Sequence, residues 1–341
     1  MDSDSRLTMG NSLPCFGSTE SRGLLGGFSV LFPEAPAGKV LITGATGLLG
    51  RQVMRVFREK GWTVRGLAFS RASGDLVKVD LFDHAALDAQ FADFQPDIVI
   101  HLAAERRPDK LEQDKEYATR INSDVARSVG ELSKRHGAWL IYPSTNYVFD
   151  GKAAPYAEDA APTPLSVYGE SKLAGEVSVA QVHPEAAILR FPLLYGPVER
   201  LDETSVTTML SAVKEVTSVK LDNWQERFPT STEDLAEVMQ AMSQARLTCS
   251  CKADFSGVFH WQANERQTKY TMGMAIAQIA GISTAHLVRI DDAPAPGSAP
   301  RPQFERMLCT RLEKLLGIEG QPQRFRSDFK ESLGRHLVPF L

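Results

Sequence analysis

A short apolar run, Val40-Leu41-Ile42, feeds into a turn with glycine at every third position, Gly44, Gly47 and Gly50; an amphipathic stretch at 51–60 leaves it. The order reads as buried strand, tight turn and helix. A strand without a polar face must be covered on both sides, and the helix that follows must pack back onto it, which points to a layered α/β sheet. Glycines at such a turn let the backbone approach a pyrophosphate, whose charge meets the N–H groups at the helix N-terminus. Thr46, Leu48 and Leu49 lie in the same turn and belong to the expected phosphate cradle. A glycine-rich turn can also be purely structural, so its context decides.

That context repeats the pattern. Residues 63–68, 77–81, 97–104, 139–145 and 188–191 read as strands, and 117–135 as a helix among them. Strands alternating with helical segments predict a Rossmann-like, doubly wound parallel sheet, with ligands at the carboxyl ends of the strands. Beyond Tyr195-Gly196-Pro197 the pattern loosens. Helices are expected at 205–216, 234–245, 270–280 and 311–316, and a strand at 255–261 that returns to the sheet. The expected organisation is a flexible tail at 1–37, a dinucleotide-binding domain at 38–197 with returning segments near 225–262, a smaller, discontinuous, C-terminal substrate-side lobe at 198–333, and a C-terminal tail at 334–341.

Composition narrows the function classes. Of 341 residues, 43% are hydrophobic and 23% charged, ordinary for a globular chain, and the net charge of −4 gives nucleic acid or an anionic membrane no reason to bind. No apolar run is long enough to span a bilayer. Four cysteines, Cys15, Cys249, Cys251 and Cys309, make no disulfide framework for this length, which fits a reducing, cytoplasmic setting and is compatible with a nuclear one. Cys249 and Cys251 lack the His or Cys partners of a zinc site, so no metal is expected. Residues 1–38 are rich in Ser, Gly and Pro, with apolar islands at Leu24-Leu25 and 28–32.

A second motif is Tyr168-Gly169-Glu170-Ser171-Lys172. Tyr and Lys four apart share a helix face, and a phenol that titrates near pH ~10 needs a neighbouring ammonium to act near neutrality. The spacing G-x-x-G-x-x-G, with this pair behind it, resembles the short-chain dehydrogenase/reductase superfamily. The resemblance implies that Tyr168 gives a proton to a carbonyl oxygen as a hydride arrives from a nicotinamide. It implies that Lys172 lowers the phenol pKa and bonds the nicotinamide ribose, that Thr145 holds the carbonyl oxygen, and that Asn122 supports the site. It also implies that Asp80 and Leu81 hold the adenine, and that Ala103 and Ala104 let the backbone lie against the cofactor. Charge bears on which cofactor. NAD readers carry an acid about 20 residues past the turn, where this chain has Leu67-Ala68-Phe69-Ser70-Arg71. With no carboxylate to repel a 2′-phosphate and Arg71 able to pair with one, NADP is favoured. Arg51 is a second candidate partner, and a solvated loop charge is the other reading of Arg71.

Longer strings carry a sharper resemblance. They are the stretch 101–109 with Glu105-Arg106-Arg107-Pro108-Asp109, Asn146-Tyr147-Val148-Phe149-Asp150-Gly151, Trp224-Gln225-Glu226-Arg227-Phe228-Pro229-Thr230, and Phe259-His260-Trp261 with Asn264-Glu265 and Thr268-Lys269-Tyr270. These resemble the regulatory beta subunits of methionine adenosyltransferase, a family itself similar to the dTDP-4-dehydrorhamnose reductases, from about residue 39 to 333. The resemblance implies an NADP-binding partner of the catalytic subunit that makes S-adenosylmethionine, regulating it without a reaction of its own. It implies docking through the C-terminus, where this chain departs: 334–341 is shorter than the family's ending, leaving Phe340 and Leu341 as apolar anchors or a frayed end. Asn146 stands where relatives often have Asp, so an acid is lost there. Thr145, Tyr168 and Lys172 are intact, which keeps open an active NADPH-dependent reductase of a nucleotide-sugar carbonyl.

Overall fold

The computed structural model describes residues 37–105, 108–215, 217–294 and 300–341. All but the last residue of the tail expected at 1–37, with Cys15, lies outside the described residues, as do Arg106 and Arg107. The strands are β1 (Lys39–Thr43), β2 (Thr63–Ala68), β3 (Val77–Lys78), β4 (Ile98–His101), β5 (Trp139–Thr145), β6 (Ala187–Phe191), β7 (Leu194–Tyr195), β8 (Val219–Asp222), β9 (Thr230–Ser231), β10 (Gly257–His260) and β11 (Leu287–Ile290). The α-helices are α1 (Leu48–Glu59), α2 (His84–Phe94), α3 (Pro108–Gln113), α4 (Lys115–Thr119), α5 (Val125–Arg135), α6 (Val167–Val182), α7 (Met209–Val213), α8 (Thr232–Thr248), α9 (Lys269–Ala280), α10 (Thr310–Leu315) and α11 (Phe329–Leu337).

Seven strands form one parallel sheet in the order β10-β6-β5-β4-β1-β2-β3. Alternate residues serve opposite faces. Val40, Ile42, Ile98, Ile100 and Ile141 join the core under α1, α8 and α10, whereas Leu41, Val99, Leu140 and Ile188 join the core under α2, α5 and α6. Both faces are covered, so the strands read as apolar runs. The chain reverses its direction of winding at β1, between β2 and β4, and α/β sheets bind ligands at such a point. This is the Rossmann-like α/β fold expected from the glycine turn.

A second core gathers Tyr195, Leu210, Leu221, Ile276, Leu287, Phe329, Leu333 and Leu337. It joins α7, α9 and α11 to the parallel pair β8 and β11. The expected boundary between 333 and 334 falls inside α11. Leu337 is fully buried, His336 Nε2 lies 2.9 Å from Glu233, and Lys214 donates to the Phe340 carbonyl, so this end is packed through 340. Leu341 is half exposed. Cys309, Leu312, Leu316 and Ile318 return to the core of the large sheet, although the sequence placed them in the lobe.

Three elements differ from the sequence reading for identifiable reasons. Of the helix expected at 205–216, whose last residue lies outside the described residues, α7 starts only at Met209, because the Thr204, Thr207 and Thr208 hydroxyls bond nearby carbonyls and compete with the helical ladder. The strand expected at 77–81 stops at Lys78, because Asp80 accepts the Phe82 N–H and turns the chain. The helix expected at 117–135 starts at Lys115 and carries a π-turn at Arg120–Asp124.

Candidate functional site

A cleft of about 520 Å³ opens at the carboxyl ends of the central strands. The glycine turn forms one wall. Gly44 has φ +66°, and a Cβ there would stand 2.7 Å from Ala103 N; at Gly50 a Cβ would stand 2.3 Å from Gly44 O. Both are glycines for close packing. Gly47 is different: its φ of −71° suits any residue, and a Cβ would touch only Gly44 O, at 3.1 Å. Gly47 is also the N-cap of α1, and no side chain caps that helix, whereas Ser166, Ser231, Thr268 and Asp328 cap α6, α8, α9 and α11. A bare helix start facing a cleft presents N–H groups to an acceptor. The turn therefore fits a dinucleotide's pyrophosphate.

Of the residues singled out in the sequence, Gly44, Gly47, Leu48, Leu49, Gly50, Ala104, Thr145, Tyr168 and Lys172 line this one cleft. Thr46 and Arg71 sit beside it, and Phe69 follows the end of β2. Arg71 Nη2 holds the Thr46 carbonyl at 2.9 Å, and the Phe69 ring is 57% exposed. Ala103 lies behind the turn against Gly44. The Asp80 carboxylate accepts the Phe82 N–H at 3.0 Å, and Leu81 packs on the core beneath. Arg51, the second candidate phosphate partner, is engaged by other groups in this structure. It bonds the Thr46 carbonyl at 3.0 Å and is drawn to Glu203 at 2.5 Å, tying α1 to the lobe.

Asn122 is buried behind the cleft wall rather than on it. Its amide clamps Glu105, accepting the backbone N–H at 3.2 Å and donating to the carbonyl at 3.1 Å, and reaches Ser171 Oγ at 3.0 Å. The π-turn around it redirects the local backbone, and the Asn122 carbonyl accepts the Tyr142 hydroxyl at 3.0 Å. Asn122 thus braces the start of α6, where Tyr168 and Lys172 reside.

Tyr168 packs edge-on against Tyr147, with ring centroids 5.9 Å apart. Lys172 donates to the Tyr142 hydroxyl at 2.9 Å, with its ammonium 4.1 Å from that ring's centroid. The sequence reading missed Tyr142, although strand alternation put it on the α6 face. Burial pushes the Lys172 amine down to about 7, against the pull of Glu176. The same burial drives the Tyr142 phenol up and His101 down to about 3, so His101 is neutral and bonded to Thr43 Oγ1 at 2.8 Å.

The depressed lysine gives a signed prediction. In the unfolded chain the amine is protonated below about 10.5, while the native amine is protonated only below about 7. Burying it therefore lowers stability, fully below 7 and not at all above about 10.5. Chemical unfolding of cofactor-free Lys172→Met is expected to show a stability difference from wild type that shifts in the variant's favour as pH falls from 10 to 7 and then levels. A difference independent of pH would refute it.

Further residues complete the lining: Asn146, Tyr147, Phe191, Thr204, Arg227 and Glu305 among them. Glu305 is a buried carboxyl pushed up to about 7 by burial, against the opposing effect of Arg227 and of hydrogen bonds from Asn146 and Gln225. Nothing in its local sequence marks it. Among the described residues, no group of His, Cys, Asp and Glu is placed to hold a metal, and no helix is long and apolar enough to cross a membrane.

Comparisons with known proteins agree with this fold. Residues 38–337 match the family described as RmlD substrate binding domain. The chain is 43% identical to methionine adenosyltransferase 2 subunit beta of Xenopus tropicalis over 304 residues, 89% of each chain, and to that of Bos taurus over the same span. It is 31% identical to a dTDP-4-dehydrorhamnose reductase of Sinorhizobium fredii, over 70% of this chain and 81% of that one. Among solved structures, dTDP-4-dehydrorhamnose reductase from Bacillus anthracis in complex with NADP superposes with a TM-score of 0.74 at 25% identity, covering 89% of this chain and 99% of that one. A glycine-walled cleft at the winding reversal, a Tyr–Lys pair across it and this identity over nearly the whole fold have one reading: the chain belongs to the methionine adenosyltransferase 2 subunit beta family, within the RmlD substrate binding domain family.

Proposed function

We propose that this chain is an NADP-binding regulatory subunit that associates with the catalytic subunit of a methionine adenosyltransferase and modulates S-adenosylmethionine synthesis. The observation that carries the reading is 43% identity to a named beta subunit over 89% of both chains. The NADP assignment rests on the bare start of α1 at Gly47, on Arg71 beside the turn in a stretch, 67–71, that carries no carboxylate, and on the NADP complex of a superposable reductase. Gly44, Gly47 and Gly50 would hold the pyrophosphate, Arg71 and Phe69 the adenosine end, and Tyr168 and Lys172 the nicotinamide ribose. When bound, the cofactor supplies a nicotinamide that can exchange a hydride. Thr145 and Tyr168 are the hydroxyls that would meet a ligand there.

The second reading, an NADPH-dependent reductase of a nucleotide-sugar carbonyl, is favoured by one observation: Thr145, Tyr168 and Lys172 share the cleft. One preparation separates the two. Co-purification with a methionine adenosyltransferase catalytic subunit is expected, with and without NADP, together with altered methionine kinetics of that enzyme. No association under either condition would refute the regulatory reading. NADPH oxidation with a dTDP-4-keto sugar, lost in Tyr168→Phe, would instead establish the reductase.

A further inference from the structure

A directed chain of hydrogen bonds runs from the lobe into the cleft, and donor chemistry sets its direction. Arg227 can only donate. It bonds Asp222 Oδ2 at 3.0 Å and the side-chain oxygen of Gln225. That leaves the Gln225 amide nitrogen, which donates to Glu305 Oε1 and faces Tyr147 Oη at 3.4 Å. Glu305 Oε2 accepts from Asn146 Nδ2 at 2.7 Å. The Asn146 amide is thereby oriented, and its oxygen accepts the Thr145 hydroxyl at 3.3 Å, while Thr145 Oγ1 accepts the Tyr147 N–H at 3.1 Å. The ends of the chain come from β5, from the loop after β8 and from the segment before α10, so the arrangement exists only when lobe and sheet are assembled.

We propose that Glu305 positions Thr145: by orienting Asn146 it draws the Thr145 proton away from the cleft, so this end of the cleft offers an oxygen acceptor and prefers a hydroxyl-bearing ligand to a carbonyl. The proposal rests on the reading of the cleft as a dinucleotide site whose reactive end lies at Thr145 and Tyr168. Both Glu305 oxygens receive donors, and the charged or titratable groups about it are Arg227, Asp222, Tyr147 and Arg301. A carboxylate at 305 therefore accepts at both ends, whereas a carboxamide of the same shape must donate at one. Glu305→Gln places a donor against Asn146 or Gln225; turning Asn146 over presents its nitrogen to Thr145 and returns the Thr145 proton to the cleft.

The test uses the full chain at pH 8, saturated with NADP+, with cyclohexanol and cyclohexanone as probes that differ in one functional group. Uptake of NADP+ is titrated first, and its failure would refute the cofactor reading rather than this one. Ligand-observed NMR is expected to show cyclohexanol bound about tenfold more tightly than cyclohexanone by wild type, the size of one hydrogen bond. In Glu305→Gln that preference is expected to disappear or invert, and in Thr145→Val to disappear. Tyr168 and Lys172 are unchanged throughout, so the difference isolates Thr145. Separately, without NADP+, the Asn146 side-chain amide resonances are expected to titrate near pH 7 in wild type and not in Glu305→Gln. Equal or carbonyl-favouring binding by wild type, binding of neither probe, an unchanged preference in Glu305→Gln, or an Asn146 amide indifferent to residue 305 would overturn the proposal.

Discussion

Gly47→Val is expected to weaken NADP binding by about 100-fold or more while leaving the thermal midpoint within a few degrees of wild type. The two effects separate because the glycines of the turn answer to different neighbours. A Cβ on Gly50 would stand 2.3 Å from Gly44 O, and Gly44 itself has φ +66° with the Ala103 backbone 2.7 Å from its missing Cβ. Side chains at either position must move backbone, so Gly44→Ala and Gly50→Ala should lose both fold stability and binding. At Gly47 the backbone is in the ordinary extended region, and a Cβ meets one carbonyl oxygen at 3.1 Å, which a small shift relieves. What a valine there fills is the space in front of the α1 N–H groups. Loss of that approach removes charge-assisted hydrogen bonds to the phosphates, each worth about 1.5–3 kcal/mol, so two of them account for the 100-fold figure. Calorimetric titration with NADP and thermal unfolding of the same sample measure both quantities. Wild-type affinity in Gly47→Val would remove the turn from the binding site.

The central fold was legible because parallel strands covered on both faces must be written as apolar runs. The spans 63–68 and 139–145 coincide with β2 and β5 to the residue. The ends of elements were less legible, since side-chain hydroxyls and carboxylates decide them by local hydrogen bonds that periodicity does not register, as Thr204, Thr208 and Asp80 illustrate. At the site, Gly44 to Gly50 and the Tyr168–Lys172 pair are each contiguous in sequence, and each landed on the same cleft. Tyr142 and Glu305 are not of that kind. Glu305 reaches the cleft because the segment around it runs beside Tyr156, whose N–H donates to Arg306 O at 2.9 Å. Its neighbour Asn146 lies 159 positions away. Such a pairing comes from the assembled lobe, and no spacing in the chain encodes it.

Breaking the Glu176–Arg190 pair beneath the site is expected to cost about 3–5 kcal/mol of stability, with Glu176→Met costing more than Arg190→Met. Both side chains are only 4% exposed; Arg190 grips the carboxylate with Nε at 2.9 Å and Nη2 at 2.6 Å, and Ser144 Oγ donates to it at 2.5 Å. The asymmetry follows from what each orphan has left. Glu176 without Arg190 keeps Ser144 and, one turn earlier on α6, the Lys172 amine, whose protonation it already favours. Arg190 without Glu176 keeps the Phe149 ring at 5.2 Å, and its Nη1 is already buried without a partner. The residue beside it in register on β10, His260, can only be neutral or cationic, and burial and Arg190 itself hold it neutral, so no anion compensates there. The double variant Glu176→Met/Arg190→Met should recover much of the loss, because it leaves no buried charge behind. Urea unfolding of the two single variants and the double variant closes the cycle. Single costs below about 1 kcal/mol, or an Arg190→Met cost exceeding that of Glu176→Met, would mean the pair is not the desolvated brace on which Ser144, the base of α6 and the Lys172 amine depend.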